Sequence, residues 1–346
     1  MRTGVFFETY QAEERLWNSS TRRWAMAAFV LLLFTLPLWA SKYLLAMACI
    51  IGIHVIATLG LNLTTGNAGL ISLSHGAFLG VGCYVVAYLA KLGLPFYLTL
   101  PIAGIVAALL GFVVGLPSLR VKGIYLAIAT LAAHFLLSFV FREWVPVTGG
   151  IQGTQIPKAT VFGYPLTGDR DNFYLIYVIV LALGIAARNL GRTYVGRAFI
   201  AVRDRDISAE ILGVNLLRTK LQAFAVGAFY AGVAGGVLGY FYGAITPEYF
   251  SLTLSIFYLA AVITGGLGSV LGSVLGAVFM TFVPELLRLL ANLGAQTFPG
   301  LTAIVLPMGQ VVFGLLIIGF LVFEPHGLTA IWRRIRHVFH IWPFKT

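Results

Sequence analysis

Lys, Arg, Asp and Glu are absent from five long intervals of the chain, 43–90, 92–119, 221–247, 249–284 and 289–323. Each interval is long enough for one or two helices of about 20 apolar residues, the length that crosses a bilayer. Breakers within and between them divide the chain into ten predicted helices, at 24–40, 43–63, 74–90, 96–116, 123–141, 173–187, 221–243, 251–266, 269–283 and 303–322. The short 173–187 piece is expected to extend into its flanks. Two Gly/Ser/Thr-rich stretches, TTGNAGLISLSHG (64–76) and TGGLGSVLGS (264–273), interrupt the apolar runs. They predict broken helices or tight helix contacts rather than plain loops. The expected fold is an all-α polytopic membrane protein. Its transmembrane unit covers 24–323, between an N-terminal tail (1–23) and a basic C-terminal tail (324–346).

Composition agrees with the pattern. Of 346 residues, 59% are hydrophobic and only 10% charged, with a mean hydropathy of +0.93. Soluble domains carry about 25% charged residues, so lipid is the expected solvent and the bilayer the first partner. The formal charge of +11 points in such a chain to positive loops facing anionic lipid, not to nucleic acid. The segment 188–220 alone holds seven Lys/Arg and three acids. Further clusters lie in both tails and at Arg120 and Lys122. With ten spans and a cytoplasmic N-terminus, every cluster falls on the cytoplasmic side, as the positive-inside rule requires. Both termini are then inside, and the first apolar run is retained as a span. A loop at 142–172 lies outside.

The chemistry of common enzymes is missing from the sequence. It contains no GxxxxGK[ST] phosphate loop, no HExxH and no GxSxG, so neither ATP hydrolysis nor another catalytic activity is expected. No metal and no cofactor are expected. Cys49 and Cys83 lie inside apolar runs and read as small packing residues. His54, His75 and His134 are the ionisable side chains expected inside the membrane. Ion-coupled carriers usually bury acids there, so energy is expected to come from a partner.

The charged stretch VRDRDISAEILGVN (202–215) lies in the most basic loop. Asp204 or Asp206 suits a helix start. Ile207, Ile211 and Val214 form an apolar stripe, and Gly213 supplies a left-handed stop. A helix of about two turns results, too short to be stable alone in water. Two readings fit: a connector lying on lipid headgroups, or a docking site for another protein.

Several blocks, in order, resemble the inner-membrane permeases of branched-chain amino acid ABC importers, of the LivM type. They are LGLNLTTGNAGLISLSHGAFLGVGCYVVAYL (59–89), GLPSLRVKGIYLAIATLA (115–132), WVPVTGGIQG (144–153), GRAFIAVRDRDISAEILGVN (196–215) and AVITGGLGSVLGSVLGA (261–277). The resemblance spans roughly residues 45–320. It implies a non-enzymatic subunit that translocates branched-chain or other hydrophobic amino acids. Its implied partners are two cytoplasmic ATP-binding subunits, a related second permease as heterodimer partner, and a periplasmic substrate-binding protein. It also implies a coupling helix that contacts the ATPase through Arg203, Asp204, Arg205, Asp206, Ser208, Ala209, Glu210 and Gly213. The loop is similar to the Glu-Ala-Ala, three residues, Gly pattern of ABC importers, with Ile207 where that pattern has Glu. The alternatives are the same architecture carrying urea or another small amide or aromatic solute, and a self-sufficient carrier or channel.

Three other motifs remain, two of them with two readings. Gly66, Gly69, Ser72, Ser74 and His75 line the translocation path, or they pack helices through small residues. Gly268, Gly272 and Gly276 form a GxxxGxxxG packing face. The pairing of Thr264-Gly265-Gly266 with Thr65-Gly66 suggests an inverted internal repeat. VTGGIQG (147–153) touches the binding protein, or it packs on its own chain.

Overall fold

The computed structural model describes residues 20–161, 164–165, 168–295, scattered positions between 311 and 322, and 327–341. Twelve helices are defined among the described residues. They are α1 (Ser20–Trp39), α2 (Lys42–Leu61), α3 (His75–Lys91), α4 (Phe96–Gly115), α5 (Ile124–Glu143), the single turn α6 (Val145–Thr148), α7 (Asp169–Arg192), α8 (Tyr194–Ile211), α9 (Leu216–Tyr242), α10 (Leu252–Gly265), α11 (Val270–Ala295) and α12 (Leu328–Ile341). Five helical stretches among the described residues are long and apolar enough to cross a membrane: Lys42–Asn67, Phe96–Leu119, Ile124–Glu143, Asp169–Arg192 and Leu216–Tyr242. The chain is all-α and polytopic, as its pattern predicts.

Nine of the ten predicted spans coincide with helices. The 173–187 piece grows into both flanks, to Asp169–Arg192. The segment predicted at 303–322 and residues 1–19 of the N-terminal tail fall largely outside the described residues. Within the expected tails, α1 already begins at Ser20, and α12 gives the C-terminal stretch a helix.

The centre of the molecule is α9. It is buried over 78% of its apolar window, against 17% for α7. Glycines let its neighbours approach to backbone distance. A Cβ at Gly60 of α2 would lie 2.8 Å from Gly227 O, and one at Gly104 of α4 would lie 2.6 Å from the Phe229 ring. Gly82 and Gly232 face each other where α3 crosses α9. The helix is also well terminated: Asn215 Oδ1 accepts from Arg218 N at 3.0 Å, and Gly243 stops it with φ +72°. Cys49 and Cys83 are fully buried.

Two helices begin inside the bundle. After α2 the chain makes a π-helical turn, Asn62–Asn67, then doubles back without regular structure to His75. There the His75 Nε2 pairs with Ala57 O at 2.8 Å, so α3 starts well above the end of α2. At the opposite end of the bundle, the 3-10 turn Pro247–Phe250 carries the chain back in before α10. Phe250 packs there against Gly80 and Tyr84 of α3. The two re-entries come from opposite ends and their helices run side by side. Gly76 N donates to Ser255 Oγ at 2.8 Å. This is the relation that an inverted repeat produces.

At that second end, two short strands, β1 (Thr154–Gln155) and a strand at Ala244–Ile245, pair antiparallel. The strands between them in sequence, Thr160–Val161 and Tyr164–Pro165, form a separate hairpin.

Candidate functional site

The charged loop is more extensive than the sequence suggests. In place of an isolated two-turn helix, α8 runs from Tyr194, where Thr193 Oγ1 accepts from Gly196 N at 3.3 Å. Its first part is anchored by buried Ala198, Phe199 and Val202. The sequence signal for this part was present in GRAFIAV, but its charges are sparse and its apolar face short. At Arg205 the backbone turns extended (φ −157°, ψ 99°), and helix resumes to Ile211.

The resumed turn ends as predicted. Gly213 has φ +88°. Val214 N donates to Ala209 O and Gly213 N to Glu210 O, both at 2.9 Å. These paired bonds are a Schellman closure. On its outer side Ile207, Ile211 and Leu212 are 68%, 81% and 83% exposed, while Ala209 is buried. Ser208 and Glu210 are exposed as well. Leu212 belongs to this apolar face although its spacing placed it off the predicted stripe. Val214, placed on the stripe, is half-buried.

Asp206 fixes this turn to the bundle. Its carboxylate pairs with the Lys122 ammonium and accepts from Ile207 N at 2.9 Å. The Lys122 hydrogen bond, reinforced by the Lys220 charge, holds the carboxyl below its usual range. Arg203 and Asp204 lie before the bend and are hydrogen-bonded to each other at 3.0 Å. Arg203 also reaches inward: its Nη1 donates to Gly66 O at 2.9 Å.

Gly66 and Gly69 therefore sit at a junction. Gly69 (φ +70°) lies so close to α8 that a Cβ there would come within 2.8 Å of Arg203 Cγ. Gly66 abuts Gly268. Asn62 joins the two Gly-rich stretches: its Nδ2 donates to Ser269 O (2.9 Å) and Ser273 Oγ (2.8 Å), and its Oδ1 accepts from Gly268 N (2.8 Å). Sequence reasoning passed over Asn62 because a lone Asn in an apolar run carries no spacing signal. Gly272 and Gly276 pack α11 on α10, whereas Gly268 (φ +74°) is in the turn before the helix. The GxxxGxxxG face is thus two glycines long.

Ser72, Ser74 and His75 lie where α3 starts. Ser72 and Ser74 share a 3.1 Å hydrogen bond, and the His75 bond to Ala57 O is internal. Around His75 stand Tyr258, which pairs with His54 Nδ1 at 2.8 Å, and Ser255. Thr58 Oγ1 and Tyr84 Oη are buried side-chain atoms without a hydrogen-bond partner. At the other end, Gly153 packs under Ile245, so the VTGGIQG loop rests on its own chain while Trp144, Val145 and Ile151 stay exposed.

The family described as "Branched-chain amino acid transport system / permease component" matches residues 43–321. The chain belongs to this family. It is 34% identical over 288 residues to the high-affinity branched-chain amino acid transport system permease protein LivM of Escherichia coli, covering 76% of this chain and 68% of that one. It is 27% identical over 299 residues to a probable branched-chain amino acid transport permease protein LivH of Methanocaldococcus jannaschii, covering 82% and 91%. It is also 25% identical over 252 residues to the ribose import permease protein RbsC of Haemophilus influenzae, covering 69% and 75%. No solved structure gives a significant match to the chain. The helices and the family together make it a multi-pass membrane permease, a transport component.

Proposed function

We propose that this chain is the membrane-spanning subunit of an ABC importer for branched-chain or other hydrophobic amino acids. Higher identity to LivM than to RbsC supports an amino acid over a sugar. The observation that carries the energetic part is the exposed apolar face of the turn 206–213. Ile207, Ile211 and Leu212 are exposed on a short, firmly capped helix end. Such a face needs a cover, and a groove on a cytoplasmic ATPase would supply one. Arg205, Ser208 and Glu210 would be rim contacts around it. ATP binding on two such subunits would shift the bundle between outward-open and inward-open populations.

In this reading both termini are cytoplasmic and the 142–172 loop faces the periplasmic binding protein through Trp144, Val145 and Ile151. A related permease completes the pore, and the meeting of the starts of α3 and α10 near Ser72, Ser74 and His75 lies along the path. Selectivity rests mostly with the binding protein.

Co-purification tests the docking turn. Gly213→Pro and Asp206→Lys are each expected to reduce captured ATPase about tenfold, the scale of a lost interface anchor, with the permease still inserted. Undiminished capture in both variants refutes the dock. Concentrative uptake by this chain alone, without ATP, refutes the importer. A cognate binding protein that takes urea and ignores leucine refutes the cargo.

A further inference from the structure

Beside the apolar packing of Phe199 with Ala68 and Leu70, a polar side chain of α8, Arg203, reaches both Gly-rich breaks. Arg203 is the last helical residue but one before the bend at Arg205. Its Nη1 donates to Gly66 O at 2.9 Å. That carbonyl has no donor from its own helix, because Leu70 N, four residues on, is taken by Thr64 O at 3.1 Å. The same Nη1 stands 3.2 Å from where a Cβ on Gly268 would be. Gly268 in turn donates its backbone N–H to Asn62. The guanidinium thus lies over the point where the break after α2 meets the turn between α10 and α11. Its Nε bonds Asp204 at 3.0 Å, so both edges of the fork are engaged.

From this geometry we infer that Arg203 is a positioning residue that transmits movement of the docking turn to the Gly66–Gly268 junction. The inference rests on the importer reading above. The physical reason is stiffness. Ala198, Phe199 and Val202 of α8 are buried in the bundle, with Phe199 in one apolar cluster with Ala68 and Leu70 of the first break, whereas at Gly66 and Gly268 the two breaks meet backbone to backbone. A planar, always charged fork with fixed donors can carry a displacement across such a joint. A lysine would gather its donors on one flexible ammonium instead of two fixed edges, and would hold Gly66 and Asp204 together less firmly. Hydrogen-bonded contacts between rigid elements are one way in which coupling between sites is carried.

The test reads the junction without using cargo. Leu267, in the turn beside Gly268, is half exposed, and the native cysteines are buried. Leu267→Cys is therefore the thiol to label with a membrane-impermeant maleimide, in the complex captured with its ATPases, with and without ATP plus vanadate. The parent carrying only L267C is expected to change labelling rate with nucleotide. Adding Arg203→Gln is expected to shrink that change about tenfold per captured ATPase, and Arg203→Lys about threefold, within the range of coupling energies that single residues control. If the glutamine variant does not insert, the lysine variant decides, by its own loss of about threefold. An unchanged nucleotide response in either inserted variant overturns the inference. So does loss of ATPase capture, which would make Arg203 a docking contact. A parent that binds ATPase but does not respond to nucleotide overturns the inference alone. A parent that captures no ATPase overturns the importer reading, and this inference with it.

Discussion

Single glycines set how close the helices come, and the structure separates those that cannot change from those that can. A methyl at Gly66 would overlap Asn62 Oδ1 and Gly268 N. Gly66→Ala is expected to destabilise the protein by about 1–3 kcal/mol, the usual cost of overpacking. Gly184, inside α7, has nothing within 4 Å of its Cβ direction. Gly184→Ala is expected to be neutral or to stabilise by about 0.5–1 kcal/mol, as in other helix interiors. Thermal unfolding of the two detergent-solubilised variants checks both; equal melting temperatures would contradict the packing described here. The sequence shows both residues as Gly in apolar surroundings. Which one meets a backbone depends on contacts some 200 positions away, and those leave no local mark. The same holds for Asn62, whose partners are at 268–273. Gly213, by contrast, was legible, because a left-handed stop is a local requirement.

At the scale of elements, the turn after Arg205 is held to the rest of the bundle mainly by Asp206 and Lys122. The carboxyl is depressed in the folded protein, so its contribution is present above the ordinary Asp value, about 3.9. It is lost as pH falls through the lowered native value. Neutral and mildly acidic conditions should leave the turn in place. Limited proteolysis between Arg203 and Arg218 is expected to accelerate only below about pH 4. In Asp206→Asn it is expected to be fast throughout. A wild-type turn that loosens between neutrality and mild acid would show that another group governs it. Helix existence was readable along most of the chain, since uncharged intervals and breakers report it directly. The length of α8 was not. Its first half is buried by tertiary contact, through Phe199 and Val202, and only its charged second half stands out in the sequence.

The whole molecule shows a buried column and exposed flanks. α9 with α2, α3 and α4 forms the column, while α5 and α7 are buried over only 22% and 17% of their apolar windows. Lipid covers such flanks, or a neighbouring permease does. The heterodimer proposed above predicts that two differently tagged copies of this chain do not co-purify, whereas a tagged copy brings down a second, related permease. Recovery of both tags together would establish a homodimer instead. The polytopic class follows from composition, but the re-entries before α3 and α10 do not. A doubled-back segment of small residues has the same hydropathy as a loop or a packed helix end.

The strand pair at the far end also constrains biogenesis. Thr154 pairs with Ile245, 91 positions later. At about 5–20 residues per second of synthesis, roughly 5–20 s separate the emergence of the two strands. Thr154 and Gln155 must wait, unpaired, while α7 and α9 are threaded into the bilayer and α8 is made between them. The ribbon is therefore a late clasp. It closes only after the central helix is in place, and its formation would report that insertion has run to completion.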